Sequence, residues 1–299
     1  MKKTKMMKRC ALALLLAALV LSGCGRKDEP DTPDAPAQTV EYSNISDASS
    51  KELLAKLFAD AGIAAERTDK FFTCLDQFNG SVKAEWLTDG FETAAPTETK
   101  YDPYEMQDMW MERQGDFPGY NCRITAYELF GDHIAAGADQ PDTNGEDSLF
   151  MDLETLERDP DVLCGKSTAD FCALFAPVEA ADSTKPSVQA EALRKGWAER
   201  GVTFSGGGGS MISVVFHDRF SDTENTLFIG HVGILLPTGG DALYFVEKVA
   251  FQEPYRLTKF ESRAALKNYL MAKYDTGWGQ DTTPPFLMEN DVLMDDAAR

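Results

Sequence analysis

Three short runs between residues 211 and 251 constrain the fold most: 211–217, 226–236 and 242–251. Each is rich in β-branched and aromatic residues and bounded by turn residues, so three antiparallel strands are predicted. The preceding half has a helical period instead. Ser49-Ser50 lead into the amphipathic run 51–60, and Gly62 stops it. Residues 68–78, ended near Gly80, repeat that logic, and 104–113 predict a third helix. Pro118-Gly119-Tyr120 then breaks the chain before Asn121-Cys122, and 122–130, closed by Gly131, reads as an amphipathic helix. Residues 187–200 and 259–274 add two more helices, while the acidic, turn-rich stretch 137–161 reads as a surface excursion. Helices ahead of strands define an α+β domain, a helical first half packed on a small antiparallel sheet.

The amino terminus is organised differently. Lys2, Lys3, Lys5, Lys8 and Arg9 precede an apolar run from 10 to 21, shorter than the about 20 residues a membrane-spanning helix needs. Leu21-Ser22-Gly23-Cys24 follows and resembles the bacterial lipobox. That resemblance implies cleavage before Cys24, lipid attachment to its thiol, and an extracytoplasmic protein anchored to the cell membrane. Residues 1–23 are then a signal peptide. Residues 24–41, with several Pro and acids and few apolar side chains, read as a flexible tether. Residues 42–299 form a single globular domain. The formal charge of −20 argues against nucleic acid as a partner, since phosphate binding needs a basic face. It also repels an anionic membrane, leaving the lipid as the anchor.

Four cysteines remain: Cys74, Cys122, Cys164 and Cys172. No two have CxxC spacing, so a structural zinc site is not expected, and no motif calls for a cofactor. The Asp142–Asp147 stretch lacks the pattern of a calcium loop, and Gly206–Gly209 lack a phosphate-loop lysine. Cys164 and Cys172 are close enough in sequence to pair, and Cys74 lies on the apolar side of its helix. Cys122 opens a helix. Unpaired N–H groups and the macrodipole there favour a thiolate, although core packing or a disulfide would also account for it. Of three histidines, His133 lies roughly 16 Å further along the helix direction, too far to act as a base for Cys122. His217 adjoins Asp218 at the end of a strand and reads as a surface or turn residue. His231 stands inside an apolar strand between Gly230 and Gly233, residues that weaken a strand unless something must approach closely.

Cys at a helix start, His on a following strand and a polar residue on the next is the papain-like order. Gly230-His231-Val232-Gly233-Ile234 closely resembles the His strand of NlpC-type cell-wall peptidases, and Asn121-Cys122-Arg123 stands at that family's Asp-Cys-Ser-Gly helix start. More broadly, the lipobox with these segments resembles a family of bacterial lipoproteins known only as a domain of unknown function. The NlpC resemblance implies a papain-like fold, Cys122 as nucleophile, His231 as base and then acid, and Glu247 as the residue orienting the imidazole. A three-residue turn pairing Pro237 with Asp241 sets His231 opposite Glu247; a two-residue Gly239-Gly240 loop would put Lys248 there instead. Arg123-Ile124 replaces the family's Ser-Gly, narrowing the pocket and making it cationic. Tyr101, Tyr104, Gln107 and Gln114 all stand as candidates for the oxyanion-hole side chain. The implied function is hydrolysis of an amide, with a cell-wall peptide as candidate substrate; the alternative is a non-catalytic ligand-binding or structural surface lipoprotein.

Overall fold

The computed structural model describes residues 39–137, 148–221, 224–240, 242–277 and 281–294. The signal peptide, Cys24, most of the tether and the Asp142–Asp147 stretch lie outside these residues. Among the described residues the protein is a mixed α+β fold with eight α-helices and a nine-stranded antiparallel sheet.

The helices are α1 (Ala48–Asp60), α2 (Ala65–Asn79), α3 (Pro103–Gln114), α4 (Cys122–Phe130), α5 (Phe150–Arg158), α6 (Thr168–Phe175), α7 (Pro186–Glu199) and α8 (Arg263–Tyr274). Five of them start on a side-chain cap. Asp47, not Ser49-Ser50, caps α1, its Oδ1 accepting the Ser50 N–H at 2.9 Å. Asp102 caps α3 ahead of a Pro at the first helical position. Ser262 caps α8, so the final helix begins at 263 and not at 259. Residues 150–158, expected within a surface excursion, form α5 and bury Asp152. The helix opened by Cys122 is not amphipathic: every residue of it except Arg123 is buried. An element apolar around its whole girth belongs in a core.

The strands are β1 (Val40–Ser43), β2 (Glu92–Ala94), β3 (Ile134–Ala135), β4 (Val178–Glu179), β5 (Thr203–Phe204), β6 (Ser210–Arg219), β7 (Asn225–Pro237), β8 (Leu243–Ala250), β9 (Glu253–Phe260), β10 (Phe286–Glu289) and β11 (Val292–Leu293). The large sheet runs β11-β10-β6-β7-β8-β9-β1-β2, with β4 added against β7, while β3 and β5 pair separately. The three predicted strands are its centre, but the sheet is not small. Strands from both ends of the chain extend it, and the supposed end of the tether, Val40 and Glu41, is already strand β1.

Alternation along the strands gives each face its own core. Val215, Ile229, Val232, Ile234, Val246, Tyr255 and Leu257 meet the helices of the first half. Ile212, Val214, Leu235 and Phe245 meet Leu266, Tyr269 and Leu270 of α8. Burying one such Leu contributes about 1.5–3 kcal/mol, so α8 is held by one apolar edge.

One irregularity matters. On β7 the pairing with β6 passes from Val214↔His231 to Val215↔Ile229, leaving Gly230 as the extra residue of a β-bulge. Ile229 and Val232 therefore share a face although three positions apart. A Cβ on Gly230 would lie 2.3 Å from two ring carbons of Phe216. The close approach expected beside His231 is thus this ring.

Candidate active site

Cys122 owes its place to its neighbours. Asn121 is the cap of α4: its Oδ1 accepts the Ile124 N–H at 3.0 Å, and its Nδ2 donates to Asp152 Oδ1 at 2.8 Å. Arg123 clamps the same carboxylate through Nε at 3.0 Å and a terminal nitrogen at 2.6 Å, and reaches the Ile229 carbonyl at 3.3 Å. Asp152 is thus a hub tying the start of α4 to α5, while Arg123 ties it to the bulged part of β7. Sequence reasoning missed Asp152; the only available signal was an acid within the helical period of 150–158.

α4 packs across β7 and β8. The β7–β8 ladder runs from Pro237↔Leu243 to Ile234↔Val246. It does not have the predicted register, because the loop is two residues longer than the three-residue turn. Thr238 closes that loop, its hydroxyl donating to the Ala242 carbonyl at 2.7 Å. Two residues preserve the parity of the faces, so Glu247 still shares a face with His231, diagonally and not directly across. Continuing the register sets Gly233 across from Glu247, leaving room that a side chain would fill. A Cβ there would lie 2.4 Å from the Phe245 ring and 2.6 Å from the Val246 carbonyl oxygen.

The structure brings Cys122, His231 and Glu247 together. His231 Nε2 lies 2.6 Å from Glu247 Oε2, which leaves Nδ1 as the ring nitrogen available to the thiol. Thiol and imidazole are coupled electrostatically, each shifting the titration of the other. Cys122 arrives with the helices on one face, while His231 and Glu247 lie on the face covered by α8. Tyr274 stacks on the imidazole with ring centroids 4.8 Å apart and planes at 22°. The site is closed, Cys122 being 7% exposed, His231 2% and Glu247 0%.

Burial opposes charge on each of these groups, and their mutual attraction outweighs it. The Cys122 thiol, raised by burial but lowered more by the His231 imidazole and then by Arg123, lies below its ordinary range. Burial likewise works against a charged His231, yet Cys122 and Glu247 raise it to about 9. Glu247 is pulled far below the carboxylate range despite burial, by Lys273, His231 and Arg256. The arrangement therefore favours a thiolate, an imidazolium and a carboxylate in line.

The other candidates lie elsewhere. His217 is not a surface residue: it is buried, with Nε2 2.7 Å from Asn225 Oδ1 and Nδ1 accepting the Thr283 N–H at 3.0 Å. His133 packs on Phe130 with ring centroids 4.6 Å apart. Lys248 projects to the face away from Glu247, its ammonium 2.7 Å from the Ala250 carbonyl and over the Phe78 ring. No disulfide joins the described cysteines; Cys164 and Cys172 are not bridged. Cys74 is buried, its thiol 3.6 Å from Glu128 Oε1. Among the oxyanion candidates, Tyr101 donates its hydroxyl to Glu253, Gln114 bonds Gln77 and Ser81, and Tyr104 is exposed. No group of three or more His, Cys, Asp or Glu is placed to hold a metal ion, and no helix is long and apolar enough to cross a membrane, among the described residues.

Fold and site thus define a mixed α+β protein with a buried Cys–His–Glu line at a helix start. Over residues 41–294 the chain matches the family described as Domain of unknown function (DUF4300), and it belongs to that family. No curated protein and no solved structure matches it.

Proposed function

We propose that the protein is a lipid-anchored, extracytoplasmic cysteine hydrolase with a papain-like arrangement, cleaving an amide bond. The observation that carries this reading is the line Cys122–His231–Glu247, with the thiol lowered and the imidazole raised by each other. In the reaction the Cys122 thiolate attacks the amide carbonyl carbon and forms a C–S bond as the carbonyl oxygen takes the negative charge. The Cys122 backbone N–H, in the first turn of α4 where the helix itself offers it no acceptor, would donate to that oxygen. His231 gives its proton to the amine as the C–N bond breaks, leaving a thioester. It then takes a proton from the water that hydrolyses the thioester and regenerates the thiol. Glu247 holds Nε2, fixing the ring so that Nδ1 faces the sulfur.

The NlpC-like His strand favours a cell-wall peptide as the substrate, and the lipobox at Cys24 favours the outer face of a membrane. Both are tested with the full chain. Peptidoglycan incubated with the wild type is expected to release new amino-terminated peptides by mass spectrometry, and Cys122→Ala none. Cys24→Ser is expected to move the protein out of the membrane fraction. Equal release by wild type and Cys122→Ala would contradict the hydrolase reading. A second reading, a non-catalytic binding or structural lipoprotein, is favoured by the burial of the thiol: at 7% exposure no substrate carbonyl reaches it without an opening of the site. Absence of turnover together with an unreactive Cys122 would select that reading.

A further inference from the structure

Glu247 is completely buried, and an isolated carboxylate there would be strongly disfavoured. Its surroundings come from every element packed against it. His231 Nε2 occupies Oε2 from β7. The Tyr269 hydroxyl of α8 donates to Oε1 at 2.5 Å. Lys273, one helical turn further on α8, places its ammonium 3.8 Å from Oε2 and 3.3 Å from the Tyr269 oxygen. Arg256, paired with Glu247 across β8–β9, lies behind, with a terminal nitrogen 3.5 Å from that same phenol oxygen. Tyr274 covers the imidazole. The more distant charges are the Glu253 carboxylate, to which Tyr101 donates, and the thiol of Cys122.

The two cations differ in what else they do. Arg256 is fully inside, with its guanidinium over the Tyr42 ring, and so is part of the core. Lys273 sits at the edge, its side chain 12% exposed, on the last turn of α8. It spans the Tyr269 and Tyr274 rings, 5.1 and 5.4 Å from their centroids. It takes no part in β-sheet pairing and caps no helix, and its charge acts at short range in a dry site.

We propose that Lys273 is a positioning residue for the reaction, the counter-charge that keeps the Glu247 carboxylate behind the His231 imidazole. The inference rests on the cysteine-hydrolase reading and extends it to the carboxy-terminal helix. Lys273 touches neither the thiol nor any place a substrate carbonyl would occupy; it acts through Glu247. Tyr269 complements it by occupying Oε1, which leaves Oε2 to the histidine.

The electrostatic consequence has a definite sign. Taking one positive charge out of a buried cluster makes every proton in it harder to lose, so thiol and imidazolium both titrate at higher pH. Iodoacetate reads both, because thiolate is the nucleophile and imidazolium attracts the anionic reagent. The rate constant for Cys122 therefore has an acid limb and an alkaline limb. In Lys273→Met both limbs are expected to move upward by about one pH unit, whereas Lys273→Arg is expected to keep the wild-type limbs. A merely structural role would lower the melting temperature and leave the limbs in place, and that result would overturn the inference. Lys273→Gln provides the same test with a polar neutral side chain should Met disturb the fold. A wild-type profile with one ordinary thiol rise above pH 8 contradicts the hydrolase reading itself, and the inference with it. Wild-type limbs that are normal but unmoved in Lys273→Met contradict only the inference.

Discussion

At the residue scale, identity alone says little about Cys122; its neighbours decide its chemistry. The sequence placed it at a helix start, and it is the first residue of α4. The larger influence is an imidazole more than a hundred positions away, which spacing alone cannot locate. His217 shows the converse. A histidine beside an aspartate at a strand end reads as surface, yet Asn225, Thr283 and Gln189 enclose it, all supplied by tertiary structure. Glu128 is a second buried acid that sequence reasoning did not single out. Burial pushes its carboxyl well above the ordinary value of 4.5, and Oε2 has no hydrogen-bond partner. The folded state therefore holds a proton that the unfolded chain releases above about 4.5, so this group's contribution falls as pH rises through that range. Glu128→Gln is expected to raise the melting temperature at pH 7–8 and to have progressively less effect towards pH 4.5. A variant less stable than wild type at pH 8 would contradict a neutral Glu128.

At the scale of elements, helices were legible to within a few residues, as α3 and α7 show, both of which start on a Pro. The errors follow from two causes. Short strands such as β1 and β2 carry too few residues for a period and exist because β9 offers an edge. α4 has its expected bounds but not its expected amphipathic character, and α5 was read as a surface excursion, because Asp152, Arg123 and Asn121 turn towards one another. That cluster makes a measurable claim. Asp152→Ala leaves Arg123, whose side chain is 17% exposed, without its counter-charge and Asn121 without its acceptor. The expected loss is about 3 kcal/mol in urea unfolding, with slower alkylation of Cys122 as the start of α4 loosens. Removing Arg123 as well should recover part of that loss, because the unpaired charge goes with it. Strictly additive effects would show that the clamp does not couple the two helices.

At the scale of the whole molecule, an antiparallel sheet with a core on either side carries two functional halves. Cys122 comes with the helices of the first half, and His231 and Glu247 come with the strands, covered by the last helix. The α+β class and the order Cys, His, carboxylate were readable in advance. The nine-stranded breadth and the exact loop length after Pro237 were not, because both depend on pairings distant in sequence. Parity alone carried Glu247 to the right face. A cysteine hydrolase needs the Cys122 thiol and the His231 imidazole to act as a reactive pair. The direct measurement is the rate of iodoacetamide alkylation of Cys122 at pH 6, by peptide mass spectrometry, in wild type and His231→Ala. Fast labelling of the wild type at that pH and a loss of at least tenfold in the variant are expected, since an unperturbed thiol ionises near 8.5. Equal slow rates in the two proteins, rising only above pH 8, would contradict it.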